Sequence, residues 1–165
     1  MKKLCILLMA LMVFSISNAQ DQLYLIIELM KVDNSQESSY EETEAFWEKI
    51  HQQRANSNAI IGWDLWQLYP GGEDQGYQYA TVTLFNNKAA MFKGGGLMAS
   101  AKKAYPNMTE EQLTNKLNSA AATRDLAVRI YAERIATTKG NFQMAVGTMA
   151  SFDWMKVTMG NYQAY

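Results

Sequence analysis

Glu28-Leu29-Met30-Lys31-Val32 is followed, eight residues after its valine, by Tyr40, and Asp153-Trp154-Met155-Lys156-Val157 is followed at the same distance by Tyr165. The two windows lie 125 residues apart at every matching position, and they share Met-Lys-Val, the tyrosine and an acidic first residue. This agreement indicates an internal duplication. It predicts a complete domain over residues 20–147 and the first strand of a second, truncated repeat over residues 148–165.

The N-terminus has the pattern of a secretory signal peptide over residues 1–19. Lys2 and Lys3 precede an apolar run from Leu4 to Phe14, and small residues before Gln20 supply a cleavage site. The run is shorter than the ~20 residues that span a bilayer. An uncleaved anchor or a buried strand is the alternative. The pattern predicts a soluble protein that is secreted or periplasmic and is free of the membrane after cleavage.

Composition excludes several classes of site. Cys5, the only cysteine, is removed with the leader, which excludes a disulfide scaffold, a cysteine nucleophile and thiolate metal sites in the mature chain. The 15 lysines and arginines nearly balance the 16 aspartates and glutamates, and the longest basic cluster is Lys102-Lys103. Nucleic-acid binding requires a basic face, so no nucleic-acid partner is expected.

The first half of the chain shows strand and helix patterns in turn. Residues 23–32, 59–69 and 77–85 alternate with period 2, which is typical of strands. Between the first two, Ser38 and Ser39 each precede a glutamate by three residues, the signature of a capping box. An apolar stripe then predicts a helix to about residue 56; its members are Tyr40, Thr43, Trp47 and Ile50.

The second half predicts two further helical regions and a strand. Asn86-Asn87 can cap a short helix, and Gly94-Gly95-Gly96 interrupts it as a hinge before a second piece. Thr109 and Gln112 form another capping box. Apolar residues at helical spacing predict a long helix closed by Gly140; they are Leu113, Leu117, Ala120, Val128, Tyr131 and Ile135. A fourth strand is then expected over residues 142–147, leading into the repeated strand at about 149–157.

The resulting order, strand-helix-strand-strand-helix-strand, predicts an α+β ferredoxin-like sandwich with both helices on one side of an antiparallel sheet. The aliphatic side of the strands, with Leu25, Ile27 and Val82, is expected to face the helices. The other side would then be uncovered and would require a partner, either the second repeat or another copy of the chain. Pairing would enclose a cavity lined by the residues of that side: Tyr24, Glu28, Tyr77, Tyr79, Thr81 and Thr83.

This topology, the aromatic strand face and the repeated Met-Lys-Val and tyrosine resemble the dimeric α+β barrel superfamily, and in particular its secreted tandem-repeat members. The superfamily includes antibiotic-biosynthesis-type monooxygenases and chlorite dismutase-like proteins. The resemblance covers residues 22–165 and implies a barrel of two ferredoxin-like units around a central cavity. Because members include cofactor-independent oxygenases, haem enzymes and proteins without known catalysis, the fold leaves the function open.

Six residues are the candidate ligand-binding set: Tyr24, Glu28, Trp63, Tyr77, Tyr79 and Arg124. Glu28, like Asp153 in the repeat, is a carboxylate in an apolar strand, and it can act as a base or can simply pair with a cation to fix the register. Arg124 falls at an apolar position of the predicted long helix, where it can pair with an acid such as Glu28, hold an anion, or extend its head into water. The aromatics offer flat apolar area with a polar tip, although core packing is their usual role.

His51, the only histidine, could serve as a base or a haem ligand, but a solvated position on the helix flank is expected. No metal site and no cofactor are expected, and the catalytic residues stay unknown. These patterns favour an exported protein that binds a small molecule or assembles through its uncovered sheet face. The alternative is a cofactor-independent, monooxygenase-like enzyme acting in the cavity.

Overall fold

The computed structural model describes residues 22–69, 76–94, 96–138, 140, 143–153 and 155. The predicted signal peptide therefore lies outside the described residues. The described residues fall into two compact units that divide after Ile135. Within the part of the chain that is described, no helix is long and apolar enough to cross a membrane.

The first four elements follow the predicted order. Strand β1 spans Tyr24–Lys31, helix α1 spans Glu37–Asn56, and strands β2 and β3 span Gly62–Gln67 and Tyr79–Phe85. The predicted capping boxes of α1 are wrong: a 3-10 turn leads into the helix, and its N-cap, Gln36, makes no side-chain capping bond. Ser38 and Ser39, which were predicted to cap the helix, lie inside its first turn instead.

Three shorter helices follow, and the predicted caps of two of them are confirmed. Helix α2 spans Lys88–Lys93, and the Asn87 side chain accepts hydrogen bonds from two backbone N–H groups of its first turn. Gly94 ends it in the left-handed conformation at φ 58°, which glycine adopts without a Cβ penalty. Gly94 and Gly96 therefore interrupt the helical region as predicted. Helix α3 spans Leu97–Ala104, and helix α4, Glu110–Ser119, begins at the predicted capping box of Thr109 and Gln112.

The predicted long helix is wrong beyond residue 119. A 3-10 turn over Ala120–Ala122 ends the helical region, and strand β4 follows at Asp125–Glu133. The predicted fourth strand at 142–147 is also wrong, because residues 143–147 are not in a strand and residue 142 lies outside the described residues. The residues of β4 also alternate with period 2, and β-branched and aromatic side chains favour strands. These residues fit both a helical and a strand periodicity, and antiparallel pairing with β1 selects the strand.

The four strands form one antiparallel sheet in the order β2-β3-β1-β4. Together with the element order, this sheet confirms the predicted α+β ferredoxin-like fold. The predicted second repeat is not seen in the part described, since residues 148–153 and Met155 have no strand conformation. The remainder of the repeat motif lies outside the described residues, and the repeat stays a prediction.

The predicted assignment of the two sheet faces is inverted. Tyr24 and Phe85 pack with residues of α1 and α2, and Tyr79 packs against Tyr40 of α1. The aliphatic side instead forms its own cluster with Trp66, Leu68, Tyr77 and Ile130, to which the described helices contribute no residue. We call this side the aliphatic face; its members are Leu25, Ile27, Leu29, Ala80, Val82 and Leu84. Period 2 shows which residues share a face, whereas only packing shows which face the helices cover.

Candidate functional site

A cleft of about 380 Å³ lies between the helix-facing side of the sheet and the helices. Polar and aromatic groups from β1, α1 and β2 and from the turn before β4 line it, and β3 and β4 complete its floor. The cavity that the sequence placed on the uncovered side of the sheet is therefore found on the opposite side. Its principal polar and aromatic residues are Glu28, Glu44, Trp47, His51, Arg54, Trp63, Thr81, Thr83, Arg124, Arg129 and Tyr131.

Glu28 lies in the floor of the cleft and is fixed by both neighbouring strands. The register places Arg129 of β4 and Thr81 of β3 directly opposite it. Arg129 donates to Glu28 Oε1 from Nε at 2.7 Å and lies 2.6 Å from it through Nη2, while the Thr81 hydroxyl donates to Oε2 at 3.4 Å. The hydrogen bond from Arg129 to Glu28 also raises the pKa of Arg129. Glu28 is therefore a carboxylate paired with a cation, the alternative that the sequence left open.

A second ion pair, between Arg124 and Glu44, also lines the cleft. Arg124 Nε lies 3.4 Å from Glu44 Oε1 and 3.2 Å from the Met30 sulfur, and its guanidinium lies 6.0 Å from the centre of the Tyr40 ring. Burial raises the pKa of the Glu44 carboxyl, and the Arg124 charge opposes that shift. Arg124 was predicted to lie on a helix, but it lies in the turn before β4. It therefore pairs with Glu44 rather than with Glu28.

His51 stands between two tryptophans in one wall of the cleft. Its ring lies 5.1 Å from that of Trp63 at 10° and 5.8 Å from that of Trp47 at 26°. Arg54 Nη1 lies 3.0 Å from His51 Nδ1. A guanidinium can only donate, so Nδ1 accepts and the ring proton lies on Nε2. Burial, with a smaller contribution from the Arg54 charge, lowers the pKa of His51 to about 3. The expectation of a solvated histidine is wrong, because the ring is partly buried by stacking against the two tryptophans.

The structure brings three of the six candidate residues together in the cleft: Glu28, Trp63 and Arg124. The other three serve elsewhere. Tyr24 packs beside the cleft and donates a hydrogen bond to Gln22, and Tyr79 is buried against Tyr40. Tyr77 packs on the cluster of the aliphatic face.

Among the lining residues outside the candidate set are three charged side chains and the histidine: Glu44, Arg54, Arg129 and His51. Four lining residues follow one another along α1 at spacings of three, four and three: Glu44, Trp47, His51 and Arg54. Such spacing places them on one face of the helix, and this signal was available in the sequence. Arg129 could not be found in this way, because its position depends on the pairing of β4 with β1.

The cleft therefore offers cationic, anionic and hydroxyl groups beside a wall of aromatic rings. No group of three or more histidine, cysteine, aspartate or glutamate side chains positioned to hold a metal ion occurs among the described residues. The chemistry of the lining suits an organic molecule that carries both flat apolar area and polar groups.

No protein-family model and no curated protein sequence matches the chain. Among solved structures, HapK from Hahella chejuensis is 11% identical with a TM-score of 0.45, and the match covers 72% of this chain and 99% of that one. A dimeric ferredoxin-like protein of unknown function from Jannaschia sp. CCS1 is 12% identical with a TM-score of 0.40, covering 70% and 99%. A mutant of SnoaB, a cofactor-independent oxygenase from Streptomyces nogalater, is 11% identical with a TM-score of 0.38, covering 74% and 99%. The similarity is one of fold.

Proposed function

We propose that this chain is an exported small-molecule-binding protein whose ligand occupies the cleft between the sheet and the helices. The observation that carries the proposal is the cleft itself, whose volume of about 380 Å³ falls within the ~300–1,000 Å³ of typical ligand pockets. Its lining combines a few convergent polar groups with aromatic surface, as such pockets do.

The fixed geometry of the polar groups supports a binding role. Glu28 is held by two neighbouring strands, and His51 is held by Arg54 and two indole rings. Side chains locked by their neighbours lose little further conformational freedom when a ligand arrives, which lowers the cost of binding. Such preorganisation is useful in a binding site and has no evident purpose in a solvated groove.

Two tryptophans on opposite sides of the sheet provide a matched test. Trp63 lines the cleft, whereas Trp66 packs on the aliphatic face. We expect compounds from a fragment library that raise the melting temperature of the mature protein to change its tryptophan fluorescence. The fluorescence change should be reduced in Trp63→Phe and retained in Trp66→Phe. Compounds that depend on Trp66 alone, or a library without any stabilising compound, would contradict the proposed site.

The second candidate function is a cofactor-independent, monooxygenase-like enzyme acting in the same cleft. Glu44 favours it, because a buried carboxylate with a raised pKa can accept a proton from a bound substrate. The fragment experiment separates the two candidates when each bound compound is recovered under air and analysed by mass spectrometry. Consumption of a compound supports the enzyme, and unchanged recovery supports a binding protein.

We also propose that two copies associate along the exposed β4 margin of the aliphatic face. The centre of this face is buried within one chain, so the prediction of an uncovered sheet face is wrong there. Val128, at the β4 margin of the face, is 39% exposed. Val128 pairs with Leu29 of this face in the register. The apolar margin gives a second copy a surface to cover.

Light scattering after size-exclusion chromatography should give twice the chain mass for the wild type. Val128→Asp should lower the mass toward one chain, because a charge at the margin would be desolvated on association. The control is Asn115→Asp on the exposed side of α4, which should leave the mass unchanged. A wild type that is monomeric at high concentration would disprove the association.

A further inference from the structure

We propose that the ligand of the cleft is a small aromatic carboxylate whose charged group binds at Arg54 and whose ring packs against the wall formed by Trp63 and His51. This inference rests on the proposed function, because it names the chemical class of the ligand for the same cleft. The charges of the lining, the free donors and the shape of the aromatic wall support it.

The lining carries one more cation than it carries anions. Three arginines and two glutamates line the cleft, and its histidine is neutral because Nδ1 accepts from Arg54. Two of the arginines already have carboxylate partners: Arg129 pairs with Glu28, and Arg124 pairs with Glu44. Arg54 has no carboxylate within ion-pair distance among the described residues. One negative charge would complete the balance.

Arg54 is also unusually buried for a cation without such a partner, since only 7% of it is exposed. Burial lowers its pKa, and the nearby Glu28 charge only partly opposes that shift, because the Glu28 carboxylate is bonded to Arg129. Its position in the last turn of α1 gives it favourable but weak help from the helix dipole. A buried charge of this kind is normally compensated, and a bound anion supplies the compensation.

Two buried donors in the lining lack an acceptor. Arg54 Nε and Trp47 Nε1 have no hydrogen-bond partner among the described residues. Buried donors are nearly always satisfied in native proteins. A carboxylate provides acceptor oxygens only and can take two parallel N–H bonds from one guanidinium. It therefore matches both the charge and the hydrogen-bonding character of this part of the cleft.

An aromatic ring in the ligand is suited to the aromatic side chains that line the cleft with Arg54. The rings of Trp47, His51 and Trp63 form a continuous stack that lines the cleft. Phe92 and Tyr131 also line the cleft, are exposed and lie 5.2 Å apart between ring centres. Aromatic rings prefer offset-stacked or edge-to-face contacts with other rings, so a flat ring uses these surfaces better than a puckered one does.

Three matched probes test the ligand class by isothermal titration calorimetry: 2-naphthoate, its neutral amide 2-naphthamide, and the saturated decahydro-2-naphthoate. We expect 2-naphthoate to bind the mature wild type about tenfold or more tightly than the amide, since hydrogen bonds to charged groups are the stronger ones. It should also bind more tightly than the saturated acid. Equal affinity for acid and amide would disprove the anion, and equal affinity for the two acids would disprove the aromatic ring.

Arg54→Met should lower the affinity for 2-naphthoate about tenfold or more and leave that for 2-naphthamide within about twofold. Lys103→Gln removes a positive charge from the exposed surface of α3 and should change neither affinity. If Arg54→Met does not fold, Arg54→Lys replaces it; that variant should bind the acid more weakly but still prefer it to the amide. An unchanged affinity in Arg54→Met, or a lost preference in Arg54→Lys, would overturn the assignment.

Failure of this inference can be told apart from failure of the proposed function. If none of the three probes binds the wild type at millimolar concentration, the aromatic carboxylate is disproved. The proposed function still stands in that case if other compounds change the fluorescence in a manner that depends on Trp63. If the fragment experiment also fails, the cleft is not a ligand site.

Discussion

Replacing Arg124 with methionine is expected to destabilise the folded chain by about 3–5 kcal/mol at pH 7, the usual cost of removing one partner from a buried ion pair. Only 3% of the Glu44 side chain is exposed, so the variant leaves an unpaired carboxylate with very little access to water. Methionine keeps much of the packing volume next to Met30 and Tyr40. Urea unfolding of the chain from residue 20 onward, followed by circular dichroism, measures the loss.

The pH dependence identifies the buried charge as the cause. Without the Arg124 charge, the pKa of Glu44 in the folded state should rise further above its ordinary value of 4.5. The folded state then binds the proton more tightly than the unfolded state, so stability is lost as the pH rises through this window. The deficit of Arg124→Met should therefore shrink as the pH falls toward 4.5.

The double variant Arg124→Met with Glu44→Gln should recover much of the lost stability, because neither member of the ion pair then leaves a buried charge. Lys102→Met is the matched control, since Lys102 pairs with Glu110 on the exposed surface. It should cost about 1 kcal/mol or less. A deficit in Arg124→Met that is the same at every pH would show that lost packing, and not the ion pair, is responsible.

The second large effect concerns His51, which should make the folded chain sensitive to acid. The pKa of His51 is about 3 in the folded chain and 6.5 in its ordinary state. Between these values the unfolded state binds more protons than the folded state, so stability rises with pH across the window and is lost on acidification. The shift corresponds to roughly 3–5 kcal/mol between pH 7 and pH 3.

His51→Asn isolates this contribution from that of other titrating groups. The amide oxygen of asparagine can accept the hydrogen bond of Arg54 in place of Nδ1, and the amide does not titrate. The difference in unfolding free energy between wild type and variant should therefore narrow, or change sign, as the pH falls from 7 to 4. The contribution of Glu44 to the pH dependence has the opposite sign, because its raised pKa favours the folded state in acid. Glu44 is present in both wild type and variant, so its contribution cancels in the difference. Parallel pH profiles would mean that the pKa of His51 is not lowered in the folded chain.

The local features of the chain could be predicted from the sequence. The alternation in β1 and β3, the cap of α4 at Thr109 and the interruption at Gly94 each depend on residues within a few positions of one another. Glu28, Trp63 and Arg124 could be proposed for the site on residue type alone. The face of α1 that carries Glu44, His51 and Arg54 was also visible as a spacing.

The sequence by itself thus determined the order of the elements as far as β3, the two-sided character of the strands and most of the helix ends, because backbone preference and capping are short-range properties. Only the tertiary structure decided that residues 125–133 form β4, which side of the sheet the helices cover, and which cation each carboxylate takes. The physical reason is separation along the chain: Arg129 meets Glu28 across 101 residues and Arg124 meets Met30 across 94. No local pattern encodes contacts of that length, and both ion pairs of the cleft depend on the strand pairing that creates them.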